Sequence, residues 1–137
     1  MPQPFHLALH VDDLDAARAF YGELLGCAEG RSAETWVDFD FFGHQLSLHR
    51  GQPVAGNHTG LVGNKAVPMP HFGVVLDMAG FRALASRLEV QGVDFILPPQ
   101  GRFQGMPGEQ WTMFLADPAG NALEFKAYPD PAGTFAA

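Results

Sequence analysis

Apolar and polar residues alternate along Phe5 to Val11 (FHLALHV), with Phe5, Leu7, Leu9 and Val11 on one face and His6, Ala8 and His10 on the other. A period of two predicts a half-buried strand. Beyond Asp12 and Asp13, both candidate N-caps, the period lengthens. Leu14, Ala17, Phe20, Tyr21, Leu24 and Leu25 recur at helical spacing and predict an amphipathic helix over 14–25, closed by Gly26. Thr35 to Phe42 (TWVDFDFF) and His44 to Arg50 (HQLSLHR) alternate again, predicting two strands joined at Gly43. From Gly51 to Pro70 the chain is rich in Gly, Pro and Asn and shows no period, so it reads as a connector. Loops of that length are often functional or mobile.

The same order then returns. His71 to Asp77 predicts a strand, and Phe81 to Val90 a helix with Phe81, Leu84, Ala85 and Leu88 on one face and Gly92 as its cap. Strands are expected over Val93 to Leu97, Gln110 to Ala116 and Ala122 to Tyr128. His6 precedes Gly26 by nearly the interval at which His71 precedes Gly92. Each half also ends in a strand launched from a glycine, Gly43-His44-Gln45-Leu46-Ser47 and Gly120-Asn121-Ala122-Leu123-Glu124. A duplicated unit follows. The expected fold is α+β, with two βαβββ modules forming a curved, partly closed mixed sheet and helices on its convex side. One domain spans 1–137, comprising module 1 at about 4–50, a connector at 51–70, module 2 at about 71–128 and a tail at 129–137.

Strand alternation also sorts the polar side chains. The apolar faces (Leu7 and Leu9, Leu46 and Leu48, Val74 and Leu76, Leu123 and Phe125) should meet the helices. The opposite faces carry His6 and His10, Ser47 and His49, His71, and Glu124 with Lys126. An imidazole or carboxylate in a partly enclosed hollow needs a partner. Two imidazoles and a carboxylate drawn from three strands, His6, His71 and Glu124, would form a facial triad around a divalent metal with open positions for substrate. The repeat strengthens the reading, because His6 matches His71 and Ser47 matches Glu124.

Composition narrows the partners. A net charge of −7 with eight Lys and Arg, scattered along the chain, leaves no basic patch for nucleic acid or an anionic membrane. One cysteine, Cys27, excludes an intramolecular disulfide and a Cys-rich zinc site. The N-terminus lacks the basic and apolar regions of a signal peptide, and no apolar run approaches a bilayer span. A cytoplasmic protein acting on a small molecule is expected.

Phe5-His6-Leu7-Ala8-Leu9-His10-Val11-Asp12-Asp13-Leu14, with Phe20-Tyr21 and Leu25-Gly26, resembles the opening of a vicinal oxygen chelate protein. Asp117-Pro118-Ala119-Gly120-Asn121-Ala122-Leu123-Glu124-Phe125 resembles that superfamily's closing signature. The superfamily includes glyoxalase I, bleomycin- and fosfomycin-resistance proteins, methylmalonyl-CoA epimerase and extradiol dioxygenases. The resemblance covers Phe5 to about Tyr128 and implies that His6, His71 and Glu124 are metal ligands. Ser47 departs from the glyoxalases, which usually place Glu or Gln there. Three protein ligands are similar to the extradiol dioxygenases, which use Fe(II), and to the fosfomycin-resistance enzymes, which use Mn(II).

The resemblance therefore implies a metal-dependent oxidoreductase of extradiol type acting on a substrate with adjacent oxygens. Fe(II) is favoured, with Mn(II), Zn(II) or Ni(II) as alternatives, and a homodimer is expected. Such chemistry needs an acid–base group near the metal. His10, His49 and His58 are the candidates, whereas Phe114 stands where extradiol enzymes carry a Tyr. The alternatives are a glyoxalase-like lyase or isomerase, a fosfomycin-type thiol transferase, or a bleomycin-resistance-like binding protein. Blander readings apply elsewhere. Asp38 and Asp40 are expected on a solvated strand face, His44 beside a turn has no assigned role, and Gly101 to Trp111 reads as a lip or a plain hairpin loop.

Overall fold

The computed structural model describes residues 3–54, 58–62 and 65–136, the side chains of His58, Thr59 and Val62 excepted. The chain divides into two compact units, Met1–Gly56 with Asp117–Asn121, and Asn57–Ala116 with Ala122–Ala137.

The first unit contains β1 (His6–Val11), α1 (Leu14–Arg18), β2 (Ala28–Ala33), β3 (Trp36–Phe41) and β4 (His44–Arg50). Its sheet runs β1-β4-β3-β2, with β1 parallel to β4 and the other pairs antiparallel. The Asp13 carboxylate caps α1 by accepting from the Ala16 amide. The helix then widens into a π-helical stretch, Ala19–Leu24, and ends before Gly26 at φ +78. Little more than one turn of the wider winding is too short for apolar spacing to register, so the sequence shows the helix and not its change of pitch. Leu14, Ala17, Phe20 and Tyr21 are buried with Val37, Phe39, Leu46 and Leu48. Ala28–Ala33 (AEGRSA) is an exposed edge strand that the apolar pattern does not predict, because its composition carries no alternation.

The second unit opens with β5 (His58–Val62) and β6 (Lys65–Met69), which pair as an antiparallel hairpin. The connector expected over 51–70 is therefore partly structured, a first correction. The plan of the first unit then repeats with β7 (His71–Leu76), α2 (Met78–Val90), β8 (Leu97–Arg102), β9 (Gln110–Ala116) and β10 (Ala122–Ala127) in the order β7-β10-β9-β8. Again the first and last strands pair in parallel. Asp77 caps α2 through the Gly80 amide, 2.6 Å away, and the helix buries Phe81, Leu84, Ala85 and Leu88. A second correction concerns the strand expected at 93–97, which lies at Leu97–Arg102. Pro98 and Pro99 argue against a strand there, but β8 is an edge strand whose pairing with β9 shifts between Leu97 and Gln100. Missing N–H groups are tolerated at such an edge.

Strand register makes the duplication concrete. His6 pairs with Gln45 and Ala8 with Ser47, while His71 pairs with Ala122 and Gly73 with Glu124. Gly43 and Gly120, the turn residues from which these positions are counted, share a φ of +89. Ser47 and Glu124 therefore occupy one slot in two copies of the fold. No helix among the described residues is long and apolar enough to cross a membrane.

Candidate metal centre

Gly73 and Glu124 are partners across the parallel β7–β10 pair, and His71 lies two residues before Gly73, on the same face. The two side chains meet with His71 Nε2 3.3 Å from Glu124 Oε1, and both are largely buried. Each is held from behind. His71 Nδ1 is 2.7 Å from the Pro68 carbonyl oxygen. A carbonyl only accepts, so Nδ1 carries the proton. The hydroxyl of fully buried Thr112 donates to Glu124 Oε2 at 2.6 Å, a length typical of a bond to a carboxylate. The Phe114 ring stands edge-to-face on His71, centroids 4.9 Å apart.

With Nδ1 committed to Pro68, His71 turns Nε2 toward a carboxylate oxygen. Two acceptors at that distance repel unless a cation, proton or metal, lies between them. Two N and O ligands each about 2.1 Å from one ion, at angles of about 90–110°, stand roughly 3.0–3.4 Å apart. The observed 3.3 Å fits adjacent ligands of a divalent ion. Glycine at 73 is required for this approach, because a Cβ there would overlap the Glu124 main-chain carbonyl.

His6 stands on β1 in the first unit, exposed, with Nδ1 2.8 Å from Gln45 Oε1. Gln45 is oriented by its other end, whose Nε2 donates to Asp38 Oδ2 at 3.3 Å. Its oxygen therefore faces His6, and Nδ1 again holds the proton. Ser47 donates to Asp38 Oδ1 at 2.6 Å. The expectation of a solvated Asp38 is corrected: it is 8% exposed, covered on the polar face between Ser47 and Gln45. Among the described residues, no three His, Cys, Asp or Glu side chains gather at one point in the chain.

His10 and His49 are register partners on β1 and β4. They line a hollow with Ala8, Leu9, Val54 and Asn121. His49 stacks on Trp36 at 6.3 Å. The backbone at Gly51 passes so close to His10 that a Cβ would lie 2.9 Å from its ring. Four residues along a strand is about 13 Å, so His10 is too remote from His6 to touch it. His58 opens β5, and its side chain lies outside the described residues. His44 has a structural role, its Nδ1 accepting from the Phe5 amide at 2.9 Å.

The closing motif proves to be a clip. Asp117 Oδ1 accepts the amides of Ala119 and Asn121, and Oδ2 accepts the Asn121 side chain and, at 2.7 Å, the buried Tyr21 hydroxyl. Asn121 also donates to the His10 carbonyl. Burial first, and then the Asp117 charge, hold the Tyr21 phenol well above its ordinary range. Gln45, Asp38, Thr112 and this Tyr21–Asp117 bond escape the sequence reading. Gln45 and Thr112 could have been found by extending the alternation that marks Ser47 and Phe114.

Two copies of a βαβββ unit in matching register, one of them carrying a His–Glu pair on its parallel strands, define the class of fold. The chain belongs to the Glyoxalase/Bleomycin resistance protein/Dioxygenase superfamily, which it matches over residues 3–125. A glyoxalase/bleomycin resistance protein/dioxygenase from Alicyclobacillus acidocaldarius is 34% identical with a TM-score of 0.83, over 97% of this chain and 96% of that one. Lactoylglutathione lyase from Agrobacterium tumefaciens (21% identity, TM-score 0.68, 100% and 98% covered) shares the fold. So does the fosfomycin resistance protein FosX from Listeria monocytogenes (18%, 0.68, 95% and 96%). No curated protein matches the chain.

Proposed function

We propose that this chain is a divalent-metal-dependent enzyme with 2-His-1-Glu ligation of extradiol-dioxygenase type, acting on a small substrate that chelates through adjacent oxygens. The observation that carries the reading is the His71–Glu124 pair, a ring nitrogen and a carboxylate oxygen braced at ligand spacing. His6, with its proton fixed on Nδ1, is the third ligand. When bound, the ion supplies a Lewis acid with open positions for the substrate's oxygens. The chain's own residues do the rest. Thr112 and the Pro68 carbonyl orient the ligands, as outer-shell partners do at metal sites. Phe114 keeps water from one side of His71. His10 and His49 wall a hollow in which they can exchange protons with a bound substrate, and Fe(II) is the favoured ion.

Metal analysis of protein purified without chelator or affinity metal tests the proposal. Near-stoichiometric iron, with turnover of a catechol under air, is the expected result. Manganese or zinc with inertness to catechols would favour a lyase, isomerase or thiol transferase, a reading to which the phenyl ring of Phe114 beside His71 lends weight, since it offers no proton. A chain that takes up no metal at all would be a binding protein. Mixing His6→Ala with His71→Ala protein then locates the third ligand. Metal binding restored on mixing means that two copies share each site, and no restoration means that one chain holds all three ligands.

A further inference from the structure

We propose that Asp38, acting through Gln45, is a positioning residue that fixes the His6 imidazole in the tautomer with Nδ1 protonated and Nε2 free. This rests on the reading of His6 as a metal ligand. The chain of bonds is continuous: Asp38 Oδ2 accepts from Gln45 Nε2, and Gln45 Oε1 accepts from His6 Nδ1. An amide side chain in solution presents either end to a neighbour. Here a carboxylate, which only accepts, holds the NH2 end and leaves the oxygen for His6. Ser47 completes the anchor by donating to the second Asp38 oxygen.

The repeat indicates that these polar groups are not there for the fold. Counting from the turn glycines, Gln45 matches Ala122 and Asp38 matches Phe114. The second unit builds the same four-stranded sheet with apolar residues at both places. It fixes His71 with a main-chain carbonyl instead. The first unit, having no such carbonyl bonded to His6 among its described contacts, reaches the same tautomer through two side chains. A carboxylate only 8% exposed is costly to place on a sheet without a task.

Asp38→Asn tests this without changing shape. The amide introduced at position 38 can still accept from Ser47, but its NH2 then faces Gln45, so the Gln45 amide turns over and donates to His6 Nδ1. The His6 proton moves to Nε2. Long-range 15N–1H spectra of the metal-free protein, at a pH where imidazole is neutral, should show that inversion at His6 and no change at His71. Zn(II) affinity should fall by about 10–100-fold, the usual cost of losing an outer-shell partner. Adding Gln45→Glu to Asp38→Asn should restore both, since a carboxylate at position 45 accepts from the new amide and from His6 Nδ1 together. A His6 proton that stays on Nδ1 in Asp38→Asn overturns the relay, even if His6→Ala weakens zinc binding as a ligand's loss should. Equal zinc affinity in His6→Ala and native protein overturns instead the ligand reading beneath it.

Discussion

Replacing Tyr21 with Phe removes one oxygen from the centre of the first unit and leaves the ring. Tyr21 is fully buried, packed edge-on against Phe20 at 4.9 Å and tilted against Phe39 at 5.9 Å, and Phe keeps those contacts. What is lost is the 2.7 Å bond to Asp117. A hydrogen bond to a charged group contributes about 1.5–3 kcal/mol. Asp117 keeps three other donors. The low end therefore applies, and urea unfolding at pH 7.5 should show a loss of about 1.5–2 kcal/mol.

The pH dependence adds a sign. The Tyr21 pKa is raised in the folded chain above its unfolded value of 10.0. The stability it contributes is therefore complete below about pH 10 and declines as pH climbs toward the folded value, at up to ~1.4 kcal/mol per pH unit. Tyr21→Phe lacks that decline. The gap between the two proteins should narrow to less than about 1 kcal/mol by pH 11. Trp fluorescence in urea at both pH values measures it. A gap that stays constant from pH 7.5 to 11, or one below about 0.5 kcal/mol at neutral pH, would refute the assignment of a buried, charge-assisted bond.

Three further outcomes are expected. Thr112→Val keeps the shape but removes the donor on Glu124, and should weaken Zn(II) by about 10–100-fold in competition with a chromophoric chelator; native affinity in the variant would count against Glu124 as a ligand. Gly51→Ala crowds the His10 ring and should lower turnover while metal content by atomic absorption stays native, and loss of the metal instead would tie His10 to the ion. Gly73→Ala forces β7 and β10 apart, costing about 1–3 kcal/mol or more as overpacking does. Urea unfolding reads that cost, and an undiminished midpoint would mean the strands do not lie as close as described.

Much of the plan is legible because it rests on period. Alternation places His6, His71 and Glu124 on polar faces, and the spacing from Gly43 and Gly120 supplies the register that pairs Ser47 with Glu124. Where period fails, the reading fails with it. Ala28–Ala33 has no apolar alternation to detect, and the β5–β6 hairpin sits among glycines and prolines that resemble a loop. β8 runs through two prolines that only an edge tolerates. Asp38 is misread for a different reason. Alternation gives the side of a sheet on which a residue stands, but the neighbours that cover it, Ser47 and Gln45, come from another strand. The partnership of Tyr21 with Asp117 is equally invisible, because 96 residues separate the two.

The two histidines differ in what heredity can do to them. Pro68 holds His71 with a peptide oxygen, an atom that every amino acid carries, so no substitution at 68 removes it as a chemical group. His6 is governed by Gln45 and Asp38, whose side chains a single nucleotide change can erase or reverse. On the proposed ligation, the C-terminal half is conservative by construction, and the N-terminal half is where a descendant of this gene can retune its preference among ions without rebuilding the scaffold.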